Sequence, residues 1–461
     1  MHLVVIGNGI AGITAARHVR KLDAAARITV ISDESDHAYS RTALMYLYMG
    51  DLQFAHTKLY EDHFWPKNRI DLVRDRVVGV DTATKTLTLR DGAPMAYDKL
   101  LIATGSVPRF AGWPGENAKG VQGFYDLQDL DRMETDTEGI RHGIVVGGGL
   151  IGVELAEMLH TRDVGVTLLV RSAWYLPAAL PEEEGRMVNA HILDHGIDLR
   201  LETELDEVLT DEAGRVRAVR TKRRGGQPGD EIEAQWVGIA IGVAPNIAFL
   251  DGSGIETDRG VLVDEHFRTS DPDVFAAGDC AQHRTPPPGR RPLEPLWYAG
   301  RVHGATAAFA ICERPRSYAP GVFFNSAKFF DLEWQVYGDL ETKLPEGQGT
   351  LYWQHPTAEK AIRINYALDA AVAGDGAPMP RVVAVNVMGI RYRHDVCTHW
   401  VEQGTPLETV LQNLGAANFD PEFTPQNEAD LVAQYNEQTG RALTLKRRRG
   451  WRQRLAVLAG A

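Results

Sequence analysis

One pattern, used twice, constrains this chain most: a short β-branched run, a glycine-rich turn, and then a helical repeat. His2 to Ile6 passes through Gly7, Gly9 and Gly12 into a helical stretch from Ile10 to about Lys21, and a second strand follows from Arg27 to Ile31. The same order returns at Ile144, through Gly147, Gly149 and Gly152 into VELAEML and then VTLLV. Each is a βαβ unit with G-x-G-x-x-G spacing. The first glycine permits the tight turn, the second lets a pyrophosphate approach the backbone, and the third lets helix and strand close on each other. The helix N-terminus then offers N–H donors and the positive end of its dipole to phosphate. The expected fold class is therefore α/β, with two Rossmann-like dinucleotide-binding domains.

An acid at the end of the second strand of such a unit binds ribose hydroxyls. In the first unit both Asp33 and Glu34 stand there, and spacing does not choose between them. In the second unit Val170 takes that place and Arg171 follows. An arginine there reads as a partner for the 2'-phosphate of NADPH, which favours NADPH over NADH, or as a solvated surface residue.

Between the two units, Leu72 to Tyr97 alternates with turn signals and suggests a small antiparallel meander leading into KLLIATG. Beyond Pro320 the pattern changes to strands near Phe323 to Phe330, Gly349 to Trp353, Lys360 to Tyr366 and Arg381 to Met388, then a helix to Glu402, an α+β C-terminal domain. The aromatic series Phe323, Phe324, Phe329, Phe330 and Trp334 reads as core or as a homodimer interface. His394, Cys397 and His399 lack the four-ligand spacing of a zinc site, so no metal is expected. Residues 421–461 are polar and then basic. The segment from Arg441, with Trp451, Leu455 and Leu458 at helical spacing, reads as a solvated end, or as a peripheral contact for an acidic carrier or an anionic membrane surface.

A net charge of −13 disfavours nucleic acid as a partner. Cys280, Cys312 and Cys397 include no C-x-x-C pair, which fits a reducing, cytoplasmic setting. No stretch approaches the ~20 apolar residues of a membrane span.

The order of GxGxxG, ATG (Ala103 to Gly105), GGGLIGVELAE, AIGVAPN and TSDPDVFAAGDC resembles the pyridine nucleotide-disulfide oxidoreductase family of FAD enzymes, over about residues 1 to 310. The resemblance implies an FAD domain at 1–112 and 249–320, an inserted NAD(P) domain at 113–248, and a separate domain at 321–420. For FAD it implies Gly7, Gly9, Gly12, Ala103, Thr104, Gly105, Gly278 and Asp279, with Val77 near the adenine. DESDHAYSRTAL and EPLWYAG are similar to the ferredoxin reductase-like branch, which implies Glu34 at the ribose, Arg41 at the FAD, and Leu296 or Trp297 beside the flavin. For the nicotinamide nucleotide it implies Gly147, Gly149, Ile151, Gly152, Glu154 and Gly242.

Two departures matter. Ala43 stands where disulfide reductases of the family carry a reactive cysteine, and Tyr46 replaces a lysine that many members hold near the flavin, opposite Glu154. Glu154 and Tyr46 are thus the candidate catalytic side chains, and the flavin is the one identifiable redox centre. The expected activity is hydride transfer from NAD(P)H to FAD, then electron release to a ferredoxin- or rubredoxin-like carrier. The alternatives are an NAD(P)H oxidase or quinone reductase, and a nucleotide-sensing redox protein resembling apoptosis-inducing factor.

Overall fold

A computed structural model describes residues 1–368 and 379–446. Two compact units emerge: Met1–Ala173 with Ile197–Pro320, and Trp174–Gly196 with the chain from Gly321.

The first unit is built on two five-stranded sheets. One runs in the order Val274–Ala276, Lys99–Ile102, His2–Ile6, Arg27–Ser32, Ile70–Arg74, with every neighbour parallel. The other runs Asp198–Leu201, Gly165–Val170, His142–Val146, Trp236–Ile239, Val121–Gly123, also all parallel. Central strands of a parallel sheet are covered on both faces, so they read as unbroken apolar runs. Leu3, Val4 and Val5, like Ile144 and Val145, are fully buried. The helices Ile10–Leu22 and Leu150–His160 leave these strands through the two glycine turns.

The antiparallel meander comprises Val77–Asp81, Thr86–Leu89 and Met95–Ala96. It starts later than the alternation suggests, because Ile70–Arg74 pairs in parallel with Arg27–Ser32 as the edge of the first sheet. An edge strand buried on one face alternates just as a meander strand does, and the sequence cannot separate them.

The second unit is an antiparallel sheet in the order Phe324–Phe329, Leu332–Gly338, Arg381–Met388, Ala361–Ala367, Gln348–Gln354. The helices His394–Glu402, Leu407–Asn413 and Glu428–Thr439 supply Cys397, Trp400, Val410, Leu411 and Leu431 to its core. The helix Glu182–Asp194 belongs to this unit as well. Phe329, Phe330 and Trp334 are buried, and Phe324 is partly buried against the same core. His394 packs edge-on to Phe324 at 4.5 Å, while Cys397 is buried in the core and its thiol is held well above the ordinary value by that burial. The polar stretch beyond Asp420 includes a packed helix, and Trp451, Leu455 and Leu458 lie outside the described residues. Among the described residues no helix is long and apolar enough to cross a membrane.

Candidate functional site

The two glycine turns share one geometry. Gly7 has φ +106°, and a Cβ there would lie 2.2 Å from the Ala103 carbonyl oxygen. Gly147 has φ +133°, and its Cβ would lie 2.2 Å from the carbonyl of Ala240. Gly12 is closed in by the Gly7 carbonyl, again at 2.2 Å, and Gly152 is buried in the first turn of its helix. Gly9 and Gly149 differ. They are the N-caps of Ile10–Leu22 and Leu150–His160, and an added Cβ meets only Arg41 Nη1 at 3.7 Å in the first case and nothing within 4 Å in the second. The protein fills the space around the first and third glycines and leaves the second open, which is the division of labour that a bound pyrophosphate requires.

A half-open cleft joins the two halves of the first unit. Gly9, Arg41, Gly278, Asp279 and Trp297 line it from the first half, and Ile151 and Glu154 from the second. Ile151 and Glu154 are three apart on one helix, so they share a face. Trp297 opens the helix Trp297–Ile311, with Leu296 as its N-cap. Ala103 and Gly105 also line the cleft, while the Thr104 hydroxyl turns away to donate to the Asn246 carbonyl at 2.7 Å.

Charge is placed around this cleft with care. Asp279 accepts from the hydroxyls of Ser106 and Tyr125, each at 3.1 Å, and desolvation still holds its carboxyl above the usual carboxylate range. Arg41 pairs with Glu34 and lies over the Tyr125 ring at 4.8 Å. Its Nε is buried and has no hydrogen-bond partner, so a donor remains for an anionic ligand. Glu34 also accepts from the Tyr39 hydroxyl and from the Leu127 amide at 3.3 Å, whereas Asp33 is turned to Arg76 at 3.4 Å.

Not every candidate reaches the cleft. Val77 is buried in the core of the first unit, and Tyr46 lies on the short helix Leu44–Met49, from which Leu44 lines the cleft and Tyr46 does not. Arg171 is exposed just after its strand. Gly242, at φ +117°, has nothing within 4 Å of an added Cβ, and its carbonyl accepts from the Arg109 amide at 3.0 Å. No cysteine lines the cleft. Cys280, next in sequence to Asp279, is wholly buried, and burial pushes its thiol up to about 11, so it stays protonated at neutral pH.

Sequence reasoning missed the polar cluster that anchors the Trp297 helix. Glu294 is buried with His303 at 3.4 Å, the Tyr318 hydroxyl at 2.8 Å and Arg290 at 3.4 Å. His283 lies 3.9 Å from the same carboxylate. Desolvation, helped by His303, lowers His283 from 6.5 to about 4. A histidine held neutral in the fold but free to charge when unfolded makes stability fall as pH drops from 6.5 towards 4, by at most ~3 kcal/mol. His283→Gln is expected to flatten the melting temperature across that window. Equal slopes in variant and wild type would refute this account.

The comparisons agree with this geometry. Residues 1–304 match the family model for pyridine nucleotide-disulphide oxidoreductase. The biphenyl dioxygenase system ferredoxin–NAD(+) reductase component of Paraburkholderia xenovorans is 32% identical over 74% of this chain and 81% of its own length. The nitrite reductase [NAD(P)H] of Bacillus subtilis is 32% identical over 61% of this chain, which spans only 34% of that relative, and the assimilatory nitrate reductase electron transfer subunit of the same organism is spanned over 41%. Among solved structures, a covalent putidaredoxin reductase–putidaredoxin complex shares the fold with a TM-score of 0.75 at 20% identity, over 94% of this chain and 98% of that one. The chain belongs to the pyridine nucleotide-disulphide oxidoreductase family of FAD enzymes.

Proposed function

We propose that the protein is an NAD(P)H-dependent FAD reductase that delivers electrons to an iron-sulfur carrier of ferredoxin or rubredoxin type. One observation carries the reading: a single cleft is lined from both dinucleotide halves, by Trp297 and Gly9 on one side and Ile151 and Glu154 on the other, and contains no thiol. Bound FAD would supply the chemistry, accepting a hydride and releasing electrons singly. The chain's own residues bind and orient. Gly9 and the helix behind it take the FAD pyrophosphate, Glu34 the ribose, and Arg41 and Asp279 the polar atoms between. Gly149 and its helix take the nicotinamide nucleotide, with Ile151 and Glu154 setting its ring against the flavin for close approach. The ferredoxin–NAD(+) reductase relative supports the choice of carrier. A second reading follows from the Bacillus relatives: the chain serves as the nucleotide-oxidising module of a larger nitrite- or nitrate-reducing system.

Anaerobic stopped-flow mixing with NADH and NADPH, followed by a panel of acceptors, tests this. Rapid flavin bleaching is expected, with reoxidation faster by a ferredoxin or rubredoxin than by a quinone or dioxygen. Fastest reoxidation by dioxygen would replace the reading with an oxidase. In the same assay Arg171→Glu is expected to lower kcat/KM for NADPH relative to NADH by ~10–100-fold, the worth of one charge-assisted contact. An unchanged preference would remove Arg171 from the site.

A further inference from the structure

The second unit holds a group of side chains that the redox reading does not use. His191 lies in the helix Glu182–Asp194 and His195 caps its end, one turn further on. His191 Nδ1 lies 2.6 Å from Glu359 Oε2, and His195 Nδ1 lies 2.9 Å from the His191 carbonyl oxygen. An oxygen acceptor at Nδ1 holds the ring proton there and leaves Nε2 as a lone-pair donor, the arrangement in which histidines bind metals. Both Nε2 atoms converge on one carboxylate oxygen, Asp331 Oδ1, at 2.9 and 3.4 Å. The three potential ligand atoms all lie within 4.8 Å of one another. His191 is 5% exposed, yet its Nε2 has no hydrogen-bond partner of acceptable geometry.

These separations have a direct meaning. Around a tetrahedral ion with bonds of ~2.0–2.1 Å, neighbouring ligand atoms stand ~3.3 Å apart. The two contacts to Asp331 bracket that value. Two ring lone pairs and an anionic oxygen so close repel one another unless a ring proton or a bound cation lies among them.

The surroundings hold the ligands in place and leave access. Asp331 sits in the two-residue turn between Phe324–Phe329 and Leu332–Gly338, with its side chain 83% exposed. The preceding residue, Phe330, stacks on the His195 ring at 4.3 Å and 25°. We propose that His191, His195 and Asp331 form a binding site for a zinc-class divalent transition-metal ion, with water completing the shell and Glu359 as the positioning carboxylate for His191. Two imidazoles and one carboxylate make a nitrogen-rich, borderline set that suits Zn(II), and Co(II) or Ni(II) by the same chemistry, over calcium or magnesium. An ion there ties the helix to the hairpin turn.

The test uses the full-length, FAD-loaded protein without a polyhistidine tag, incubated with zinc sulfate, dialysed, and measured by plasma mass spectrometry and chelator competition. Wild type is expected to retain one zinc per chain, whereas His195→Gln and Asp331→Asn retain none. Glu359→Gln, which leaves the ligands intact, is expected to bind ~10–100-fold more weakly. Cobalt in place of zinc should give visible ligand-field bands that both ligand variants lose. Unchanged flavin content and nucleotide-driven flavin reduction show that each variant is folded, and keep the result independent of the reductase reading. No zinc uptake by wild type would mean that the two rings and Asp331 meet without an ion between them. Uptake equal in the ligand variants would place the ion elsewhere, and either result overturns the proposal.

Discussion

Gly149→Val is expected to raise KM for the nicotinamide nucleotide by ~100-fold, about 2.7 kcal/mol of lost binding, while flavin content and melting temperature stay at wild-type levels. The reasoning is steric. Gly149 has φ −110° and ψ −177°, extended backbone that valine adopts readily, and nothing among the described residues lies within 4 Å of its Cβ position. A side chain there obstructs a ligand approaching the helix N-terminus. Gly147→Val is the contrasting variant, since φ +133° and a carbonyl at 2.2 Å make it a folding defect. Unaltered nucleotide kinetics in Gly149→Val would show that the pyrophosphate does not rest on this turn.

The largest effect on stability is expected at a buried ion pair in the second unit. Glu184 is 0% and Arg363 6% exposed, and they meet through two hydrogen bonds of 2.7 and 2.9 Å, with Asn386 donating to the same carboxylate at 3.1 Å. Glu184→Ala leaves the buried guanidinium only the half-exposed Glu183 carboxylate, at 2.8 Å, and should cost about 3 kcal/mol, seen as a fall of ~10 °C in the melting temperature of this unit. The double variant Glu184→Leu, Arg363→Met should recover most of that loss, because an apolar pair of similar volume escapes the desolvation penalty. A single variant that melts like wild type, or a double variant no better than the single, would show that the pair is not energetically coupled as its geometry implies.

The sequence revealed local and repeated features and hid those made by distant contacts. Both glycine turns could be read because each glycine's role is decided within one βαβ unit. Spacing does not separate Glu34 from Asp33, because what distinguishes them is remote: Tyr39, Arg41 and the distant Leu127 amide turn towards one carboxylate and Arg76 towards the other. The strand Leu332–Gly338 escapes the sequence because the turn before it, Phe330–Asp331, has none of the glycine or asparagine that a two-residue hairpin usually displays. Phe330 accepts φ +56° there, held by its ring against His195. The anchoring of Glu184 by Arg363 spans 179 residues and leaves no periodic trace.

The helices Ile10–Leu22 and Trp297–Ile311 pack closely: a Cβ on Gly304 would lie 2.1 Å from the Ala11 carbonyl oxygen, and one on Gly300 3.3 Å from the Ile10 side chain. Segments almost 300 positions apart in the chain are thus fused into a single brace, and neither can tilt without carrying the other. A lesion at Gly304, which does not line the cleft, should therefore present as a flavin-retention defect, and a screen for weak FAD binding will return hinge-like positions far from any ligand atom.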